Sequence, residues 1–372
     1  RFLDLASAQQ ARMRQLLAEC GSQAFVHGLG VTLRQDAAVL GWRRPRRDQA
    51  RHLGVYPQLQ AGRIAVGAAA PLGRLSAAQL RGAAIKEYRR LETQLPGLEI
   101  QWTGALSYGA TVIGTPPLSD QQASATRVSR AQILDLEPNL KNPPQSAVYE
   151  AGQGALDAVA ATHALIAAAQ GYGARILTQT RMLGFVTRGT TVTGVETTTG
   201  IIDADIVVLA AGTGITKLTG MLGMSLPIDA SPAIFIRYKS QPNLVHTLIS
   251  SPEMEVRQTS EGALLAAEDY LDDTLENQPE AIALRTARTI QNELHGVVSI
   301  QAERACVGLR PMPADGIPII GYLPKVGGVY VCAMHPGVTL AAVVGRLASE
   351  EINDDQASSA LSPCRPDRFF QA

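Results

Sequence analysis

The sequence predicts a mixed α/β and α+β chain of two domains, each built from separate stretches. Three observations predict it. Residues 154–215 and 305–352 alternate helical segments with β-branched runs punctuated by glycine. Residues 227–300, between them, read as successive short strands closed by one helix. The continuous run Ile206-Val207-Val208-Leu209 has the character of a parallel strand buried on both faces. We therefore draw an α/β domain over 1–75, 145–225 and 301–372, and an antiparallel domain over 76–144 and 226–300.

The elements follow in order. Leu3, Leu5, Ala8, Met13, Leu16 and Leu17 recur at helical spacing, so 1–20 is predicted helical. The arginine-rich stretch 43–52 reads as loop. Residues 76–95 form an amphipathic helix with Ser76 as N-cap, stopped at Pro96-Gly97. Short strands over 100–113 precede a helix opened by Ser129 and ended before Pro138. Asn142-Pro143-Pro144 reads as a linker. An alanine-rich helix over 156–171 leads to strands at 175–180, 184–188, 191–198, 201–205 and 206–209. Further strands are expected at 233–238, 244–249, 255–258 and 264–267, then a helix over 279–294.

Composition bounds the function. Of 372 residues, 46% are apolar and 18% charged, enough for sizeable cores. Lysine plus arginine equals aspartate plus glutamate at 33 each, so nothing points to a nucleic-acid partner. Cys20, Cys306, Cys332 and Cys364 form no CxxC pair, and the six histidines show no HxxxH or HExxH spacing. No metal site is expected, and a reducing, cytoplasmic setting is. The longest apolar run, 158–169, is too short to span a bilayer. Oligomeric state is not legible.

The motif that carries chemistry lies late in the chain. Gly308-Leu309-Arg310-Pro311-Met312-Pro313 precedes Asp315-Gly316-Ile317-Pro318-Ile319-Ile320-Gly321. A strand over 328–333 follows, then Met334-His335-Pro336-Gly337-Val338-Thr339-Leu340 opens a helix. A glycine turn opening a helix aims backbone N–H groups at an anionic group. Earlier, Asp203-Ala204-Asp205-Ile206-Val207-Val208-Leu209 ends in Ala210-Ala211-Gly212, small residues that admit a ligand close to the backbone.

These two blocks resemble the D-amino-acid-oxidase-like flavoenzymes, the superfamily of glycine oxidase and sarcosine oxidase. The family pattern is GLRP, DGxPxIG, a strand, then a glycine turn and helix. The resemblance covers about 55–353 and implies an FAD/NAD(P)-binding Rossmann-like domain with an antiparallel-sheet substrate domain. It implies FAD as cofactor and a small amine or amino acid as substrate, oxidised by hydride transfer to the flavin. The product would be an imine, released as a keto acid or aldehyde to leave reduced flavin for an unidentified acceptor.

The implied cofactor contacts are Met182, Ala210, Ala211, Gly212, Arg310, His335, Pro336, Gly337, Val338, Thr339 and Leu340. Arg310 is also the leading substrate-carboxylate residue, by its bidentate fork; the alternative is a structural pair with a local acid such as Asp315. Tyr238 and Tyr270 are weaker pocket candidates. Pro336 departs from the family's glycines and removes one N–H donor.

Upstream of Val55 the family pattern fails. A GxGxxG loop and a following acidic residue should open the domain. The nearest segment is Gly28-Leu29-Gly30-Val31-Thr32-Leu33, with Leu33 where the third glycine belongs. Either the first module has diverged or been lost, or residues 1–53 come from a shifted frame. The expectation is that this chain holds FAD poorly. A rival reading is a non-catalytic protein of the same fold that has lost FAD.

Overall fold

The computed structural model describes residues 25–27, 30–32, 39–42, 77–109 and 125–370. The chain divides into two compact units, one of residues 1–32, 85–176 and 230–310, the other of 33–84, 177–229 and 311–372.

The elements begin with strands β1 (Phe25–His27), β2 (Gly30–Thr32) and β3 (Val39–Trp42) and helix α1 (Ala77–Gln94). Strands β4 (Ile100–Gln101), β5 (Ala105–Ser107) and β6 (Ala125–Ser129) lead to α2 (Arg130–Leu136). Then come β7 (Ser146–Glu150), β8 (Ala155–Leu156), α3 (Ala158–Gly171), β9 (Met182–Arg188), β10 (Thr191–Thr197), β11 (Gly200–Asp203) and β12 (Ile206–Leu209). After α4 (Ile215–Gly220) follow β13 (Ile228–Ser240), β14 (Leu248–Ser250), β15 (Glu255–Gln258) and β16 (Leu264–Asp269). The chain closes with α5 (Pro279–Glu293), β17 (Ile300–Pro313), β18 (Ile319–Tyr322), β19 (Val329–Ala333) and α6 (Gly337–Asp354).

The first unit is organised by an eight-stranded sheet in the order β17-β13-β16-β15-β14-β5-β7-β6. From β13 to β14 and from β5 to β6 each strand runs antiparallel to its neighbour, while β14 runs parallel to β5. One face is apolar by strict alternation. Ile234, Ile236 and Tyr238 on β13, Leu264 and Ala266 on β16 and Val256 on β15 all belong to one buried cluster. Helix α5 starts with Pro279 and Glu280, a favourable first turn, and covers that face with Ile282, Ala283 and Ile290. Helix α2 carries the expected cap: the Gln132 Oε1 accepts from the Ser129 N–H at 2.9 Å. Helix α3 belongs to this unit, whereas the boundary drawn at 145 groups it with the α/β segments.

Two expected strands are not formed as drawn. Over 244–249 only Leu248 onward pairs in the sheet. The backbone N–H groups of Leu244 and Val245 go instead to Gln258 Oε1, at 2.7 and 3.2 Å. Those of His246 and Thr247 go to the fully buried carboxylate of Glu137, which also accepts from Thr247 Oγ1 at 2.6 Å. Side-chain acceptors have replaced the ladder, so an apolar pattern does not imply strand here. Burial pushes the Glu137 carboxyl up, with the Thr247 and His246 donors opposing it. Residues 175–180 likewise pair with no described strand; the segment turns at Thr178-Gln179, where Gln179 is left-handed.

The second unit centres on a four-stranded sheet, β18-β19-β12-β3. Strand β12 is parallel to β19, with Leu209 opposite Val331, and antiparallel to β3. It is covered on both faces, as its aliphatic run predicts. Ile206, Ile320 and Tyr330 face helix α6 through Leu340, Val343, Val344 and Leu347. Val207, Leu209, Val329 and Val331 pack with Met182, Val192 and Val195 of the small sheet β11-β10-β9. Gly328 lets this happen: it is left-handed, and a Cβ there would meet the Val192 carbonyl oxygen at 2.5 Å.

The Gly28-Leu29 segment joins β1 to β2, which pair antiparallel from His27↔Gly30 to Phe25↔Thr32. Gly28, Leu29 and Leu33 of the candidate dinucleotide turn lie outside the described residues. The predicted helix at 1–20, the loop at 43–52 and Ser76 lie outside the described residues, as do residues 110–124.

Candidate active site

Two motifs more than a hundred residues apart in sequence meet at one edge of the second unit. Because β12 and β19 are parallel neighbours, their carboxyl ends lie side by side. Ala210-Ala211-Gly212 leaves the first end and Met334-His335-Pro336-Gly337 leaves the second. In open α/β sheets, ligands bind outside the carboxyl ends of such strands.

The local geometry suits a ligand with anionic character. Gly212 is left-handed, with φ +56°, and no heavy atom lies within 4 Å of where its Cβ would stand. Helix α6 begins at Gly337, with Pro336 as N-cap, no capping side chain and no acidic residue in its first turn. The Gly337 N–H turns back to the His335 carbonyl at 2.8 Å, and the Leu340 N–H closes the first turn onto Pro336 at 2.9 Å. An 18-residue helix thus presents its positive end with no acidic residue in its own first turn. His335, Pro336, Gly337 and Thr339 are half-buried, while Val338 and Leu340 anchor the turn in the core. These features fit the flavin end of FAD.

Met182 opens β9, the edge strand of its sheet, with its side chain in the core. The neighbouring Arg181 is tied to Thr198: its N–H donates to the Thr198 side-chain Oγ1 at 3.1 Å and its carbonyl accepts from the Thr198 N–H at 2.9 Å.

In the first unit, Arg310 lies on β17. Its Nη2 donates to Ser231 Oγ at 2.9 Å, to the Pro232 carbonyl at 3.3 Å and to Asp269 Oδ1 at 3.3 Å. Asp315 is not its partner. Arg368 holds Asp315 through contacts of 2.7 and 3.1 Å, and those bonds lower the Asp315 carboxyl below its usual range.

Tyr238 is a core residue, not a pocket residue. It is wholly buried and its hydroxyl donates to the Ala283 carbonyl at 2.7 Å, tying sheet to helix α5. Burial pushes its phenol well above the ordinary value. Tyr238→Phe should therefore lower stability by about 1–2 kcal/mol, the cost of a buried carbonyl losing its donor. Chemical denaturation at unchanged flavin content measures it; unchanged stability would remove Tyr238 from the core framework. Tyr270 is half-buried, its hydroxyl donating to Asp273, and burial pushes it up to about 12.

A reading of the sequence passes over Glu255 and Arg257. The signal is nonetheless there: in Glu255-Val256-Arg257 the apolar Val256 faces the core, so both charged neighbours point to the other side of the sheet.

The chain is similar to known proteins in sequence and in fold. The chain is 28% identical over 242 residues to a subunit of the opine oxidase of Rhizobium meliloti, covering 61% of this chain and 62% of that protein. It spans a little under two thirds of the length of the curated relatives it matches first. The fold is similar to L-proline dehydrogenase from P. horikoshii, with a TM-score of 0.66 and 20% identity over 78% of this chain and 82% of that one. It is also similar to glycine oxidase from Bacillus cereus ATCC 14579, with a TM-score of 0.64 and 22% identity over 75% and 81%. The family model for FAD dependent oxidoreductases (DAO) matches residues 41–351, taking in both strand-end motifs and Arg310. With β12 and β19 ending side by side in the two small-residue turns of that pattern, the chain belongs to the DAO family of FAD-dependent oxidoreductases.

Proposed function

We propose that this chain oxidises a small amine or amino acid with FAD as its cofactor. The observation that carries the reading is the juxtaposition of Ala210–Gly212 with His335–Leu340 at the ends of adjacent parallel strands. FAD, when bound, supplies the hydride acceptor. The backbone of Ala210, Ala211 and Gly212 leaves room for the cofactor. The first turn of α6, Gly337 to Leu340, sets a positive potential against negative charge developing on the flavin. Met182 would offer an edge-strand backbone. The pyrophosphate and ribose contacts expected before Val55 fall largely outside the described residues, and with them the expectation of weak FAD binding.

Arg310 positions the substrate carboxylate. Ser231 and Pro232 fix the orientation of its guanidinium. Asp269, its acidic partner, has a side chain 75% exposed. An ion pair so exposed contributes at most about 1 kcal/mol, so a substrate carboxylate can displace it. Tyr270 stays protonated at neutral pH, with its proton donated to Asp273. No side-chain acid or base is required if the amine arrives neutral.

Purified protein supplied with FAD should be yellow, and anaerobic addition of amino acids should bleach it. Protein that stays colourless at saturating FAD would overturn the reading. Arg310→Lys loses the planar fork and should weaken amino-acid binding by about 1–3 kcal/mol, roughly five- to a hundredfold in KM. If even Arg310→Ala leaves the kinetics of every amino acid unchanged, the carboxylate role is wrong.

A further inference from the structure

Helix α5 packs onto the eight-stranded sheet through Ile282, Ala283 and Ile290, with Thr286 Oγ1 donating to Glu268 on β16 at 2.8 Å. Its opposite side carries Glu280, Leu284 and Arg288, all exposed, with Leu284 at 61%. These three stand four residues apart and so form one ridge along the helix. Glu280 and Arg288 lie eight residues apart, roughly 12 Å along the axis, too far to pair within the helix.

The turn that leads into α5 adds two more leucines. Leu271 is 68% exposed and Leu275 89%. Neither is on slack chain. Asp272 Oδ1 accepts from the Thr274 N–H at 2.9 Å, from Thr274 Oγ1 at 2.6 Å and from Asn277 Nδ2 at 3.0 Å. Arg285 then ties this turn to the helix, donating to the Glu276 carbonyl at 3.1 Å and to Asn277 Oδ1 at 3.3 Å. Scattered single leucines on a surface are ordinary, but three on one fixed frame make an apolar patch. Because the frame is already ordered, association over it costs little further entropy.

We propose that the outer ridge of α5 seats a second copy of this chain, the two helices packing antiparallel about a twofold axis at Leu284. The order of charges argues for a second copy. The commonest helix packing lays the i±4 ridges of two helices alongside each other. A twofold axis reverses one ridge relative to the other. Leu284 then meets Leu284, and Glu280 of each copy faces Arg288 of the other. The ridge is thus complementary to itself, acid against base twice, with apolar contact between. A partner presenting charge of one sign would be attracted at one end of the ridge and repelled at the other. The patch is small, so the dimer exchanges with monomer.

Sedimentation of the full chain with FAD tests this. Wild type should be dimeric at high micromolar concentration and dissociate on dilution. Leu284→Asp should be monomeric throughout, with an unchanged circular dichroism spectrum. Glu280→Arg and Arg288→Glu should each raise the dimer Kd at least about tenfold, because each sets like charges opposite one another twice. An equimolar mixture of those two variants should dimerise as wild type does, since every facing pair in the mixed dimer is again opposite in charge. A chain carrying both changes should do the same. Wild type that stays monomeric at every concentration overturns the proposal and leaves the ridge to a different protein. A dimer that survives Leu284→Asp overturns it too, because the copies then meet elsewhere. A mixture of the charge variants that stays monomeric removes the twofold register and with it the second copy. If Leu284→Asp fails to fold, that mixture decides, since both of its chains keep Leu284.

Discussion

Arg365→Met is expected to destabilise the second unit by about 3–5 kcal/mol, the cost of leaving a buried carboxylate without its cation. The carboxylate is Glu351, 2% exposed in the last turns of α6. Arg365 grips both of its oxygens, Nη1 donating to Oε2 at 2.9 Å and Nη2 to Oε1. The Tyr330 hydroxyl donates to Oε2 and the Ser358 N–H to Oε1. One carboxylate thus ties helix α6, strand β19 and the segment 358–365 together, and α6 is the helix whose first turn forms the candidate flavin site. Melting followed by circular dichroism should show the loss. Glu351→Gln keeps the shape and removes the charge, so it should cost less. A double variant should cost less than the sum, since each single change strands the other partner. Additive losses would mean that the four groups do not act as one network.

The same carboxylate sets a pH dependence. Burial raises Glu351, but the Arg365 fork, the Tyr330 hydroxyl and the Ser358 N–H outweigh it, and the group lies below its ordinary 4.5. A depressed folded pKa means the unfolded chain binds protons first as pH falls. The contribution of Glu351 is therefore complete above about 4.5 and is lost as pH drops through the lower folded value. Wild type should lose stability in that acid window more steeply than Glu351→Gln. Parallel acid profiles would remove Glu351 as the titrating group.

What is legible in the chain follows from which forces act locally. Ile206–Leu209 can be read as a doubly buried parallel strand because four aliphatic residues in a row suit that environment. The two glycine-bearing turns can be read because a close ligand limits side-chain size. Their adjacency cannot, since the pairing of β12 with β19 joins segments more than a hundred residues apart. Residues 244–249 mislead because the acceptors that hold them, Gln258 and Glu137, are side chains outside the segment. Tyr238 misleads because a phenol on a strand reads the same whether it meets a substrate or the Ala283 carbonyl.

Thr339→Asp is expected to separate the stability of α6 from its role toward FAD. Thr339 is the third residue of the helix, half-buried, in a first turn without any acidic side chain. An aspartate there interacts favourably with the helix dipole and should hold or raise the melting temperature of protein without flavin, by about 0.3–1 kcal/mol. Toward a flavin whose reduced form is anionic, the same carboxylate is a like charge at close range. At an effective dielectric near 20, two charges about 4 Å apart repel by roughly 4 kcal/mol. A loss on the order of 2–4 kcal/mol in affinity for the reduced flavin, from about thirtyfold to nearly a thousandfold in Kd, should follow. Reduced flavin should be weakened more than oxidised flavin, so the midpoint potential should also fall. Gly212→Val is the companion change on the other strand end. It fills the open space beside a left-handed residue and should lower flavin occupancy without any change of charge. Flavin absorbance per polypeptide, with melting measured on flavin-free protein, reads both variants. If Thr339→Asp binds FAD as wild type does, the first turn of α6 does not face the flavin, and the pairing of the two strand ends has some other purpose.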